Sequence, residues 1–345
     1  MNHGMIEAHE LTKVFRVRAT RPGLWGAVRG LFTGETTEVR ALDGVSFSVP
    51  AGERTAYLGV NGAGKSTTIK ILAGVLTPGS GRCLVAGREP REDRYAHARA
   101  VGVVFGHRTQ LWWDLPVADS FRILTRLHDL PPAVAQANLR LFDELLDLGE
   151  LADRPVRTLS LGQRMRAEVA AALFHDPAVL LLDEPTIGLD LLLKEAVHQL
   201  VNRVAAERGT TVLLTSHDVA DISAICEHVV VVDAGRVVHT GRLHDLLRQA
   251  PTRTVRFEYS VEADADLDAE PLARLLELEL GGPVTVSAAG RRRVTVQGPP
   301  ELVTPQRVLA AASALVAVTD LVAPEPTLGE VLRALYVAPE LSRGR

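Results

Sequence analysis

Cysteine is scarce in this sequence of 345 residues: Cys83 and Cys226 are the only two, far apart and in no CxxC pair. That excludes a disulfide framework and a cysteine-based zinc site, and it fits a reducing compartment. A dominant charge is lacking as well, since 38 Lys and Arg stand against 42 Asp and Glu for a formal net charge of −4. No global basic field exists to hold nucleic acid, so no nucleic-acid partner is expected. Long hydrophobic runs are missing. The longest stretch free of charged and strongly polar groups runs from about Val308 to Val318. That is well short of the ~20 residues needed to span a bilayer. The opening MNHGMIEAHELTK has no apolar segment of the kind a secretory leader requires. The chain is therefore expected to be soluble, although it could still dock on a membrane protein. Internal repeats and low-complexity tracts are absent too.

What is present is a globular composition, 46% apolar, on a chain long enough for two domains. Residues 1–248 hold the dense motifs. The polar break Gln249-Ala250-Pro251-Thr252-Arg253 reads as a linker, and 254–345 as a smaller unit. In the first part, short apolar runs at 55–59, 101–105, 178–183, 211–215 and 229–233 read as buried strands. Helical patterns at about 65–74, 117–128, 163–175 and 191–207 alternate with them. Such alternation predicts an α/β layer on a largely parallel sheet. The amphipathic stretch from Pro131 to Leu148 reads as a helical insertion in that core. The second part, with strands at 255–260, 283–288 and 293–297 and helices near 270–280, 305–314 and 328–336, predicts a small α+β domain. It contains no constellation of catalytic type.

Gly59-Val60-Asn61-Gly62-Ala63-Gly64-Lys65-Ser66-Thr67 fits GxxxxGK[ST], with a strand before it and a helix after it. The glycines let backbone N–H groups turn inward on phosphates, and the helix presents its positive end to them. Lys65 can reach the β- and γ-phosphates, and Ser66 can supply a hydroxyl ligand to Mg²⁺. The strand Val179-Leu180-Leu181-Leu182 ends in Asp183-Glu184. Two adjacent carboxylates beyond a buried strand are costly without partners. Asp183 can hold Mg²⁺ through its water shell, and Glu184 stands where it could orient or deprotonate an attacking water. His217 follows the next apolar strand, at the carboxyl end where open α/β sheets bind ligands, and can contact the γ-phosphate.

At this point the sequence resembles the ABC ATPases. Thr158-Leu159-Ser160-Leu161-Gly162-Gln163-Arg164 is similar to their signature motif, Ile187-Gly188-Leu189-Asp190 to their D-loop and His217 to their switch histidine, in the family's order over about residues 6–245. The resemblance implies a P-loop fold with a parallel-sheet core, a helical subdomain at about 115–165 and an antiparallel β part, followed here by the C-terminal α+β domain. It implies Mg²⁺ and ATP as ligands and a head-to-tail dimer in which Ser160, Gly162 and Gln163 meet the partner's γ-phosphate. Asp190 belongs to the same nucleotide-facing set, and Phe15 falls where the family puts an aromatic under adenine, against the simpler reading of a core ring. Two departures stand out. Leu161 replaces a signature glycine, and His107 takes the place of the Q-loop glutamine, with Gln110 three residues late.

The finer resemblance is to the ATP-binding subunits of type-two bacterial exporters, through Trp112-Trp113-Asp114-Leu115-Pro116, Thr186-Ile187-Gly188-Leu189-Asp190 and Glu325-Pro326-Thr327-Leu328. It implies a second nucleotide-binding subunit, in a homodimer, a separate transmembrane permease, and a peripheral location at the cytoplasmic face of the membrane. A soluble ABC ATPase of translation, DNA repair or chromosomes is the alternative. Leu24, Trp25, Val28, Leu31 and Phe32 form one apolar helical stripe in an insertion at about 16–40. No acid occurs from Lys13 to Phe32. Such a helix fits an anionic membrane surface, a membrane subunit or its own domain. Trp112 and Trp113 read either as core or as a socket for a permease helix.

Overall fold

The computed structural model describes residues 5–18, 36–106, 109–260, 269–289, 292–324, 326 and 328–331. The chain divides into two compact units between Leu243 and His244.

The first unit begins as an antiparallel ribbon. Strand β1 (Ile6–Arg18) pairs with β2 (Thr36–Val49) on one side and with β4 (Ser80–Val85) on the other. The β1–β2 ladder reaches Arg18↔Thr36. At the two ends of the expected insertion at 16–40, Arg16–Arg18 and Thr36–Arg40 are strand. The apolar stripe between them, including Trp25, lies outside the described residues.

The second sheet of this unit has six strands in the order β5-β6-β7-β3-β8-β9. They are β3 (Arg54–Gly59), β5 (Val101–Phe105), β6 (Val179–Asp183), β7 (Thr211–Thr215), β8 (His228–Asp233) and β9 (Arg236–Arg242). All neighbours run parallel except β8 and β9. The sequence reason is visible in β3, β6, β7 and β8, whose central residues are all buried. Strands covered on both faces need continuous apolar runs rather than alternation.

Helices flank this sheet. They are α1 (Lys65–Leu72), α2 (Arg94–Ala100), α3 (Val117–Leu127), α4 (Pro132–Leu146), α5 (Leu161–Leu173), α6 (Leu191–Arg208) and α7 (Val219–Ile225). Helix α3 buries Val117, Ser120, Phe121 and Leu124, a face at helical spacing. Phe121 meets Phe174 edge-on at 5.0 Å between ring centroids, and Phe142 of α4 closes the same cluster at 6.5 Å. The predicted helical insertion is therefore a small aromatic-centred subdomain. Proline at the start of α4 is tolerated because the first turn needs no N–H donor there.

The second unit begins within α8 (Leu243–Arg248). It runs β10 (Arg253–Ser260), α9 (Ala269–Leu280), β11 (Thr285–Ala289), β12 (Arg293–Gly298), α10 (Pro305–Ser313) and β13 (Ala317–Val322). The strands form one antiparallel sheet, β11-β12-β10-β13. This βαββαβ order is the ferredoxin-like arrangement. Strand β10 alternates so that Val255, Phe257 and Tyr259 are buried. They pack in one cluster with Leu272, Leu276 and Leu280 of α9 and Val308 and Ala312 of α10.

Candidate nucleotide site

The site is assembled from the carboxyl ends of β3, β6 and β7, which are neighbours in the sheet with β7 in the middle. The loop from Gly59 to Thr67 leaves β3 and enters α1 with Gly64 as its N-cap, at φ 101°. A side chain at Gly64 would be strained in this left-handed backbone. Its Cβ would also stand 2.4 Å from the Ala41 carbonyl oxygen. Gly62 is also left-handed, at φ 86°, with open space around it. No side chain caps α1, so its first N–H groups are left for a ligand. Asn61, Gly62 and Ser66 are exposed, Thr67 is half-buried and Ala63 is buried.

Lys65 Nζ donates to the carbonyl oxygens of Gly59 at 2.8 Å and Val60 at 3.2 Å, lying back over its own loop. Burial lowers its pKa, and the nearby Glu184 and Asp183 carboxylates oppose that shift. Ser66 Oγ donates to Asp183 Oδ1 at 3.3 Å, and Thr215 Oγ1 donates to the same oxygen at 2.6 Å. A hydroxyl beside a carboxylate, both oxygen donors, is the protein share that Mg²⁺ requires when phosphates and water supply the rest.

Glu184 adopts φ 55°, in the left-handed region that a non-glycine residue enters only when its surroundings hold it. Its N–H is held by the Thr215 carbonyl at 3.0 Å. Its Oε2 lies 2.8 Å from His217 Nδ1. The His217 side chain is 72% exposed while Glu184 is 24% exposed, so the pair sits at the rim with the carboxylate inward. Lys65, Ser66, Asp183, Glu184 and His217 thus converge.

The signature residues form a separate group. Ser160 caps α5: its side chain accepts from Gln163 N at 3.2 Å, and Gln163 Oε1 accepts from Ser160 N at 3.0 Å. Arg154 Nη1 donates to the same Gln163 oxygen at 3.1 Å. The unusual Leu161 has a structural place. A Cβ on Gly188, at φ 75°, would stand 2.4 Å from Leu161 Cδ2, so the leucine lies directly on that glycine. Gly162 faces Leu189 and Leu193. Asp190 caps α6, accepting from Leu193 N at 2.9 Å.

Phe15 is 37% exposed on β1, with Lys13 Nζ 5.7 Å from its ring centroid. His107 lies outside the described residues. The Gln110 side chain donates to the Glu168 carbonyl at 3.0 Å, and its N–H to Glu168 Oε2. Trp112 and Trp113 are 37% and 47% exposed, and Arg164 lies 5.8 Å from the Trp113 ring.

Sequence reasoning passed over Thr215, Ser216 and Asp221. Asp221, on α7, is fully buried and accepts from Ser216 Oγ and Thr186 Oγ1, with His198 Nε2 at 2.9 Å from its other oxygen. The available signal was an acid among the apolar residues Val219, Ala220, Ile222 and Ile225, four residues after His217.

The family model for ABC transporters matches residues 42–187. The daunorubicin/doxorubicin resistance ATP-binding protein DrrA of Streptomyces peucetius is 34% identical over 242 residues, covering 70% of this chain and 72% of that protein. The chain belongs to the ABC transporter ATP-binding proteins. The Nod factor export ATP-binding protein I of Ralstonia nicotianae is another relative of this ABC protein, 36% identical over 214 residues and 62% of the chain. The match spans 65% of the Ralstonia protein's length, so the chain covers less than two thirds of it. A solved ATP-binding subunit of an ABC transporter superposes with a TM-score of 0.60 at 24% identity, covering 71% of this chain and 92% of that one, which shows the fold. Among the described residues of this ABC protein, no helix is long and apolar enough to cross a membrane.

Proposed function

We propose that this ABC ATP-binding subunit hydrolyses Mg-ATP to energise export through a separate transmembrane permease, docked at the cytoplasmic face of the membrane. The observation that carries it is the convergence of Lys65, Ser66, Asp183, Glu184 and His217 at the ends of three adjacent strands. The P-loop amides and Lys65 bind the β- and γ-phosphates, so Lys65 leaves its carbonyl partners when nucleotide enters. Ser66 and Asp183 would hold Mg²⁺, which neutralises phosphate charge when bound. Glu184 orients and deprotonates the attacking water. His217, already hydrogen-bonded to Glu184, contacts the γ-phosphate. Phe15 stacks on adenine.

A head-to-tail homodimer around two ATP molecules completes the reading. Ser160, Gly162 and Gln163 serve the partner's nucleotide with N–H groups from the start of α5. Leu161 in the signature segment and Leu191 and Leu192 at the start of α6, just after the D-loop, support it, being 42%, 70% and 77% exposed. Exposed leucines on this scale are expected where a second surface covers them. The export direction is supported by the relatives named for Nod factor export and for daunorubicin resistance.

A tagged Glu184→Gln chain tests both halves. Its ATP turnover is expected to fall about 10²- to 10⁴-fold, with ATP-bound dimers accumulating. From detergent-solubilised membranes of the native cells it should retain a stoichiometric multi-span protein. Undiminished hydrolysis sinks the role of Glu184. Recovery only in the soluble fraction, or on ribosomes or DNA, sinks the export reading.

A further inference from the structure

The residues on either side of His217 are tied down more firmly than His217 itself. Ser216 is 4% exposed, and its Oγ donates to Asp221 Oδ2 at 2.9 Å while accepting from Asp218 N at 3.0 Å. Asp218 caps α7 through Ala220 N and pairs with Lys194 of α6. Across the site, Thr186 lies two residues beyond Glu184, is 3% exposed, and donates its Oγ1 to the same Asp221 Oδ2. His198 of α6 holds the other oxygen. One fully buried carboxylate therefore receives a strap from the segment that follows Glu184 and another from the segment that precedes His217.

We infer that Asp221 is a positioning residue for hydrolysis: through Thr186 and Ser216 it sets the separation and aim of Glu184 and His217. The inference rests on the proposed ATP hydrolysis. Its logic is mechanical. Glu184 sits in a left-handed conformation that its own backbone does not favour. The Thr215 carbonyl fixes its N–H, and the next side-chain anchor downstream is Thr186 on Asp221. His217 is exposed and held through its neighbours. A buried carboxylate is an expensive way to fill space, since an apolar residue would pack there without needing three donors. Burial pushes the Asp221 carboxyl up, yet the hydrogen bonds from His198, Thr186 and Ser216 together outweigh it and hold the pKa below its usual value. The group therefore stays ionised and both oxygens remain acceptors. Because α6 starts directly after Asp190, the same node also links this pair to the D-loop segment.

The test uses the purified full-length chain with ATP. Asp221→Asn keeps the shape but turns one acceptor into a donor facing donors. Its kcat is expected to fall about 10- to 100-fold, the loss that follows a small misplacement of reacting groups. KM for ATP should stay within about two-fold of wild type, since phosphate binding is untouched. In a His217→Ala background the same change should lower kcat by less than about two-fold, because the pair it aims has already lost a member. Ser216→Ala and Thr186→Val each remove one donor, and they should repeat the pattern with smaller losses. They decide the matter if Asp221→Asn does not fold. A kcat close to wild type in these variants, or a loss fully additive with His217→Ala, overturns the positioning role. A wild-type chain without turnover overturns the hydrolysis reading instead.

Discussion

The two units bury different chemistry. In the first, Arg166, Glu168, Thr186, Ser216 and Asp221 are among the polar and charged side chains taken out of water. Among the described residues of the second, the buried side chains are apolar apart from Tyr259, and most of them form one sheet-and-helix cluster. Buried polar groups destabilise unless every donor and acceptor is met. The first unit answers much of that demand with long-range pairs: Thr109 and Gln110 on Glu168, Arg166 Nη1 on the Leu146 carbonyl, and three donors on Asp221, while Arg166 Nε is left without a hydrogen-bond partner. The difference teaches where precise relative placement is under demand. A core that only has to hold together needs no polar ties, whereas a core that must hold strand ends in register for chemistry uses them.

Three experiments break or sharpen this contrast. The largest effect is expected at the signature. Ser160→Arg should lower ATP turnover about 10²- to 10³-fold, as the loss of a transition-state donor does. ATP affinity of the isolated subunit should stay unchanged. Wild-type turnover would mean that the signature loop does not complete a partner's site.

Next comes the apolar core of the second unit. Leu276 is 0% exposed and lies within the core cluster of that unit. Leu276→Ala should destabilise that unit by about 2–5 kcal/mol. ATP affinity should not move, read by thermal unfolding and nucleotide titration on the same sample. A parallel loss of ATP binding would show that the second unit supports the site.

The smallest effect is an acid sensitivity confined to the first unit. His128 and His175 stack with ring centroids 4.1 Å apart. Burial, and next the charge of His128, push the His175 pKa down to about 4. Burial likewise lowers the pKa of His128, with Arg99 adding to it, and burial lowers that of His97. An imidazole depressed in the folded state takes up its proton first in the unfolded chain. Stability is therefore full above the unfolded value of 6.5 and falls as pH drops towards about 4. The second unit has no histidine after His244 and should not share this window. His175→Leu should flatten the pH dependence of the first unit's unfolding between these values. An unchanged slope would remove His175 from the account.

Much of the first unit could be read in advance because its signals are local. The strands at β3, β5, β6, β7 and β8 are short apolar runs, and the helices after them carry a 3.6-residue spacing. Other elements gave no such signal. Strand β4 begins with three exposed residues, and α2 buries only His97. The β1–β2 ribbon is broken by register shifts near Leu11 and Val14, which scramble its alternation. In the second unit β13 is mostly exposed, so it lacks the hydrophobic pattern of a core strand. At the site, Lys65, Ser66, Asp183, Glu184 and His217 were legible from motifs adjoining apolar strands. Asp221 was not, because its meaning comes from His198 and Thr186, which lie 23 and 35 positions away.

The sequence by itself determined the phosphate loop, the acids at the end of β6 and the alternation of strands with helices, since each depends on neighbours a few residues apart. Tertiary structure alone decided that β7 lies between β6 and β3, that Leu161 covers Gly188, and that Thr186, Ser216 and His198 meet on one buried carboxylate. Those contacts join residues brought together by strand order, and strand order is set by how whole elements pack, which no local periodicity encodes.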